Sequence, residues 1–373
     1  MGIWIVVCVL LSMHLSRLLD GLHEEFLFFL LKSFGFFILG YFYSFLLQYR
    51  KRTRTREFGL NTEALWKTTR NVLVVWGCLN IIQVIYSGGV PLLWYILGTG
   101  KGYFDFGIHG INGLMNAVLY VMCINVYLLY RTTKNKKYRY VFLILCCWPI
   151  LLVTRQVIIV LLLELFFLFI AMHRISAKVV VKTFMGLLFA IYLFGVAGDF
   201  RTGGDAFKQL AQPDGDWVDE VPSGFLWVYM YMSTPVANIQ NIFETILPSE
   251  GLQHSTSMLL PSPIRALIYP SGLDDNNSVS GLITEAFNVS TFLNEFYLDY
   301  GEVYVYIALF LIGLATKWIY NKVKYDLSYS SLLNYVILSQ ILLLSIFYNH
   351  FLYLPVVFQF VVVWFFSRKT TCR

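Results

Sequence analysis

FLWVYMYMSTPVANIQNIFETIL, residues 225–247, is the stretch that decides how this chain is threaded. It is apolar enough to cross a membrane, and a crossing here would put every later segment on the opposite side. It lies in the middle of residues 199–301, where Asp and Glu far outnumber the three basic residues Arg201, Lys208 and Arg265. On both sides of that acidic segment the chain is a succession of hydrophobic runs.

Composition explains those runs. The 373 residues are 58% hydrophobic and 13% charged, with mean hydropathy +0.64. Soluble domains carry about 25% charged residues, so this chain is built for lipid. Runs near the ~20 residues that span a bilayer are read at 2–19, 26–47, 68–88, 111–130, 138–153, 157–173, 179–198, 303–320, 331–348 and 353–367. No basic leader with a small-residue cleavage site marks the first run, which is expected to be retained. The reading is an all-α polytopic membrane protein of about 10 transmembrane helices. Residues 1–198 supply seven, 199–301 form one large external loop with short amphipathic helices, and 302–373 supply three more and a tail. The six cysteines lie in apolar runs or the tail, so no disulfide is expected in the loop.

The basic residues set the orientation. Of 28 Lys and Arg, twenty-one fall in 48–70, 131–139, 173–182, 317–325 and 368–373. Ten spans place all of these on one face, which is then cytoplasmic, with both termini inside and the acidic loop outside. This sorting accounts for the net charge of +6 without nucleic acid. A crossing at 225–247 would move Lys317, Lys322, Lys324, Arg368 and Lys369 outside. That stretch is therefore expected to lie on, or dip into, the outer leaflet, broken near Pro235.

Residues able to carry chemistry are few. Arg155, Arg201 and Arg265 stand on an otherwise acidic exterior, and guanidinium groups bind phosphate through paired, fixed hydrogen bonds. Gly203 and Gly204 follow Arg201 and are able to offer backbone N–H groups to an anion. Glu295 and Asp299 lie one helical turn apart just before a span, where a carboxylate is placed to take a hydroxyl proton. As ordinary helix-start acids they would instead favour the macrodipole. His254 in the loop and His350 in an outer turn are the best-placed neutral bases. Asp214-Gly215-Asp216 has a metal-binding spacing but reads better as solvated loop, and no metal is expected. Glu164, in the middle of a span, reads as an interior hydrogen-bonding group. No phosphate-binding glycine loop or G-x-S-x-G turn is present, which argues against an ATPase or a classical hydrolase.

Four stretches resemble the O-antigen polymerases of the Wzy type, which join lipid-linked oligosaccharide repeat units. They are Ser87-Gly88-Gly89-Val90-Pro91 with Tyr103-Phe104-Asp105-Phe106-Gly107-Ile108; the turn at Arg155; Arg201-Thr202-Gly203-Gly204 leading to Tyr231-Met232-Ser233-Thr234-Pro235-Val236-Ala237-Asn238; and Phe296-Tyr297-Leu298-Asp299-Tyr300-Gly301. The resemblance implies a GT-C-like, metal-independent glycosyltransferase without cofactor in the bacterial inner membrane, its large loop periplasmic. Its substrate would be an undecaprenyl-pyrophosphate-linked oligosaccharide. A polysaccharide co-polymerase that regulates chain length and a flippase would be its partners. By position, it puts Arg155, Arg201 and Arg265 forward for activity, with Asp299 and Glu295 as the carboxylates. Gly203, Gly204, His254, His350 and Tyr297 are the expected substrate contacts. An O-antigen ligase, and a lipid-linked oligosaccharide flippase or other transporter, are the alternatives.

A reporter domain fused after Pro248 should register as external, and a cytoplasmic signal there would refute this threading.

Overall fold

The computed structural model describes residues 2–47, 59–108, 110–173, 177–202, 204–270, 281–284 and 287–370. Among these, every regular element is a helix. In order they are α1 (Gly2–Ser12), α2 (Glu24–Leu47), α3 (Thr62–Ser87), α4 (Pro91–Leu97), α5 (Ile111–Thr133), α6 (Lys136–Leu151), α7 (Arg155–Met172) and α8 (Ala177–Thr202). The acidic segment contributes α9 (Gly204–Ala211), α10 (Trp217–Glu220), α11 (Ser223–Thr245), α12 (Gln253–Leu259) and α13 (Ser262–Ile268). The chain ends in α14 (Leu293–Tyr325), α15 (Tyr329–Leu344) and α16 (Leu354–Thr370).

Among the described residues, five stretches are helical, long and apolar enough to cross a membrane. They are Glu24–Ser44 in α2, Thr62–Leu97 through α3 and α4, α5, α7 and α14. The other expected spans are helical as well, and most of them are shorter or less apolar. Helix α15, for example, has 16 residues and is about 24 Å long, less than the ~30 Å hydrocarbon thickness. The first expected span, 2–19, stops at Ser12. His14 takes a left-handed conformation (φ 50°), and the chain beyond it is captured by the acidic segment. Ser16 Oγ donates to Ala211 O at 2.6 Å and Arg17 pairs with Asp214 at 2.8 Å. Further along, Gln240 Nε2 donates to Gly21 O.

Helix α11 holds residues 225–245 of the apolar stretch in the acidic segment. It continues through Pro235 for 23 residues, which corrects the expected break. Tight packing replaces what proline removes: Ser233 through Gln240 are all buried, and Thr234 Oγ1 donates back to Met230 O. Its first turn meets the end of α8, where Trp227 Nε1 donates to Asp199 Oδ1 at 3.3 Å. Its last turn meets the start of α2, where His23 lies 2.5 Å from Glu244. The helix thus runs from one helix end to another, and it is not among the five stretches fit to cross. Gly224 lets it touch α8, because a Cβ there would sit 2.2 Å from Ile191 O.

The strongest helix pairing is α2 against α14, and it is parallel: Phe36 stacks on Tyr306, and Gly40 meets Phe310. A Cβ on Gly40 would lie 2.0 Å from Phe310 O, and one on Gly313 would lie 2.1 Å from Phe37 O. Only glycine permits this approach, the usual basis of close helix association in lipid.

Helix α14 is bent back on itself. Tyr300 and Gly301 leave helical geometry, and Gly301 sits at φ 67°, ψ −152°, a region open almost only to glycine. Phe296 packs on Tyr304 with ring centroids 5.6 Å apart, whereas eight residues of straight helix would separate them by about 12 Å. Phe29 touches Tyr297 on the first arm and Tyr306 on the second. At the far end of the first arm, Phe292 packs on Trp4, which packs on Phe34. Residues 293–300 are therefore a short arm folded against the long one.

At the opposite end of the bundle, basic groups lie over aromatic rings: Lys322 over Trp318, Arg368 over Trp364 and Lys137 over Trp66, at 3.9, 4.0 and 4.4 Å. Such basic-aromatic belts mark a membrane–water boundary.

Gly313→Leu should lower the thermal stability of the purified protein by about 1–3 kcal/mol or more through overpacking. Gly301→Ala should cost about 1–3 kcal/mol in backbone strain. Melting curves in detergent measure both, with Gly77→Ala, where a Cβ meets open space, as control.

Candidate functional site

The short arm of α14 carries both expected carboxylates, but gives them different work. Asp299 is fully buried. Its Oδ1 accepts from His254 N at 2.8 Å and its Oδ2 from Ser255 N at 3.0 Å. These are early amides of α12, whose start has no side-chain cap of its own, so Asp299 acts as that cap. Ser249 N donates to Leu298 O and Gly251 N to Asp299 O. The bend of α14 and the chain entering α12 are thereby stitched together, and the Asp299 carboxylate is a fastening rather than a free base.

Glu295 keeps a free atom. Its Oε1 receives only a long contact from Asn294 Nδ2, at 3.5 Å. Its Oε2 is shielded from solvent and makes no hydrogen bond among the described residues. Asn349 and Asn294 stand beside it as weak side-chain hydrogen-bond partners, and the Asn349 amide atoms and Asn294 Oδ1 are shielded from solvent with no closer partner among the described residues. Buried polar atoms normally find partners, so such a concentration marks a place built to meet polar groups from elsewhere.

The turn between α15 and α16 completes the cluster. Phe292 N donates to Ser345 O, which pins that turn to the short arm. Tyr348 and Tyr353 pack edge to face at 5.6 Å. Burial, with the negative field of Glu295 and the Tyr353 hydroxyl, pushes the Tyr348 hydroxyl above its ordinary range, while Arg265 pulls it back. Tyr348 therefore stands within electrostatic reach of both Arg265 and Glu295. Tyr353 is raised in the same sense by burial and by Tyr103. Tyr103 is itself raised by burial and partly offset by Asn116 and Asn112.

Local sequence explains why these pieces converge. Gly110 takes φ 85°, and a Cβ there would lie 2.8 Å from Pro263, so the turn before α5 presses against the first turn of α13. That helix starts at Ser262, with Pro263 in its first turn, and exposes Arg265. Thr256 Oγ1 lies 2.5 Å from Tyr269 OH, which joins α12 to the end of α13.

The remaining expected residues are distributed as follows. His350 is buried, and its Nδ1 lies 2.9 Å from Gln340 Nε2, so the neutral ring accepts from the amide. Burial pushes its pKa down to about 4. His254 is also buried, and burial lowers its pKa against the opposing pull of Asp299. The Tyr297 hydroxyl donates to Phe243 O at 3.0 Å, which fixes the short arm to α11. Arg155 is exposed in the first turn of α7 and is not among the groups that act on Tyr348. Arg201 lies in the last turn of α8 and Gly204 opens α9; the Arg201 side chain and Gly203 lie outside the described residues. Asp214 is spent on Arg17. Glu164 is fully buried with Gln359 and Tyr120 near it.

The structure thus brings Glu295 and the turn of His350 together, with Arg265 within electrostatic reach of Tyr348. It adds Tyr348, Asn349, Tyr353 and Asn294, which sequence reasoning missed, and sets Tyr103 of the first resembling stretch within electrostatic reach of Tyr353. Only the adjacency of Tyr348 and Asn349 to His350 hinted at them. The chain matches no family model, no curated protein and no solved structure.

The burial of His350 has a pH signature. Its folded pKa of about 4 lies below the ordinary 6.5, so the unfolded chain binds the proton more readily as pH falls. Stability is whole above pH 6.5 and is lost on acidification towards pH 4, by about 3 kcal/mol. Melting temperatures across that window should fall more steeply for the wild type than for His350→Gln.

Proposed function

We propose that this protein is a membrane glycosyltransferase that polymerises undecaprenyl-pyrophosphate-linked oligosaccharide repeat units into O-antigen at the periplasmic face of the inner membrane. The observation that carries the reading is the cluster of Arg265, Tyr348, Asn349 and Glu295 at the loop end of an apolar bundle. A cation, a carboxylate with an unpaired oxygen and unpaired amides suit a substrate with a pyrophosphate and many hydroxyls. The four resembling stretches add to this, since two of them supply Tyr103 and the short arm of α14.

In the reaction, a hydroxyl of the incoming sugar attacks the anomeric carbon of the growing glycan. A new C–O bond forms, and the C–O bond to the pyrophosphate breaks, its electron pair leaving with the lipid pyrophosphate. Arg265 stabilises the charge that develops on the leaving group. Glu295 takes the hydroxyl proton. Tyr348, on which both groups act electrostatically, orients the reacting hydroxyl or the phosphate, and Asn349 and Asn294 hold sugar hydroxyls. Asp299 acts through α12 and is a positioning residue.

The test uses the purified chain in vesicles with a lipid-linked repeat unit, with product ladders read on gels. Glu295→Gln should slow elongation by about 10²-fold or more, and Arg265→Ala by about 10²–10³-fold. In cells, Arg→Ala at 155, 201 or 265 should abolish long chains but leave lipopolysaccharide capped with a single unit. Loss of all O-antigen would instead indicate a ligase. Normal ladders in Glu295→Gln and in all three arginine variants would remove the assignment.

A further inference from the structure

One buried carboxyl takes no part in the chemistry proposed above. Glu164 lies halfway along α7, nine residues from Arg155 at one end and nine from His173 at the other. Each end is therefore about 14 Å away along the axis. Glu164 is fully buried. Both carboxyl oxygens are shielded from solvent and have no close hydrogen-bond partner among the described residues. The basic groups at the ends of α7 are remote or engaged: Arg155 is exposed in the first turn, and His173 meets Arg131.

The neighbouring helices offer Glu164 polar groups and no cation. Gln359 of α16 is its weak side-chain hydrogen-bond partner, and both ends of that carboxamide are likewise shielded with no closer partner. Tyr120 and Cys123 of α5 lie within its electrostatic reach, and Cys146 of α6 meets Cys123. Helix α15 packs on α7 and contains no charged residue; its Tyr329 hydroxyl donates to Asn125 Oδ1 at 2.6 Å. An ionised carboxylate at this depth would have no counter-charge, which an apolar interior does not tolerate. A carboxyl that carries its own proton needs none.

A ladder of polar side chains leads from Glu164 to the loop end of the bundle. Tyr120 is in electrostatic reach of Tyr353 and Tyr103 as well as of Glu164. Asn116 lies one turn before Tyr120 on the same face of α5, and with Asn112 it reaches the Tyr103 hydroxyl. Tyr353 packs against Tyr348 and His350, with ring centroids 5.6 and 5.8 Å apart. Hydroxyls both donate and accept, and a carboxamide does the same through its two ends, so each rung is able to pass a proton on.

We propose that Glu164 is an exchangeable proton site in the membrane interior, reached from the loop end through Tyr353, Tyr103, Asn116 and Tyr120. A proton enters along the hydroxyls as another leaves, so the interior gains no net charge. Gln359 supplies the carboxamide oxygen that accepts from the carboxyl O–H. The site goes beyond the proposed glycosyl transfer and does not rest on it, since it needs neither donor nor acceptor sugar.

The test uses the full-length protein in lipid vesicles. Infrared difference spectra between the wild type and Glu164→Gln should contain the stretch of a protonated carboxyl, lost in the variant. In heavy water that band should shift faster than the buried amides of α5 exchange, and Tyr120→Phe should slow the shift roughly tenfold. Dicyclohexylcarbodiimide, an apolar reagent, gives a second readout that requires no variant. It takes the carboxyl proton on its nitrogen and the carboxylate oxygen on its central carbon. Peptide mass spectrometry should find Glu164 modified and the exposed Glu220 unmodified, to the same extent in sodium chloride as in choline chloride. Four results would each overturn the proposal: no carboxyl band that depends on Glu164, a band that exchanges only with the buried amides, unchanged exchange in Tyr120→Phe, or protection by sodium, which would mark a metal-cation site. Neither readout requires turnover, so failure here leaves the glycosyltransferase reading as it stands.

Discussion

The contact between α2 and α14 at Gly40 and Gly313 is the constraint on which the site depends. The two backbones meet with no side chain between them, so the long arm of α14 is fixed in height and rotation against α2. Lipid offers no hydrophobic drive for helices to associate, and close packing takes its place. Once the long arm is fixed, Gly301 turns the chain back and the short arm can lie in only one place. Tyr297, Leu298 and Asp299 then fasten that arm to α11, to the chain after Pro248 and to α12.

Buried polar groups differ in how far they are satisfied. Asp299 is held by two amides, and Asn238 Nδ2 donates to Phe287 O at 2.7 Å and to Val289 O at 2.9 Å. Glu295 Oε2, Asn349 and Asn294 Oδ1 keep open hydrogen-bonding capacity, as do Glu164 and Gln359 inside the bundle. An unpaired buried polar atom costs about 1–3 kcal/mol, and a fold retains several together where a ligand completes them. Arg265 and Glu295 both act electrostatically on Tyr348.

Much of this was legible in the residues. The hydrophobic runs predicted helices that the structure has, five stretches of them long and apolar enough to cross among the described residues. The pair Glu295 and Asp299 stood out by its spacing. Their division of labour was not legible, because spacing reports that two carboxylates share a helix face and not which amides they meet. The single helix through Pro235 was missed because proline's local cost is visible in sequence, whereas the burial of Ser233 through Gln240 that offsets it is not. Likewise α1 stops at Ser12 because Ser16 and Arg17 find partners some 200 residues away, beyond the reach of any local pattern.

The sequence by itself determined the class of solvent, the sorting of charge between the two ends and the short list of residues able to do chemistry. These follow from composition and from the transfer energies of single side chains, which are local properties. Only the tertiary structure decided that Arg265 comes within electrostatic reach of Tyr348, that Asp299 is a fastening, and that α14 folds its short arm back against its long one. Those outcomes depend on close approach between distant backbones, at Gly40 with Phe310 and at Gly110 with Pro263, where the absence of a side chain matters only because of what lies opposite it.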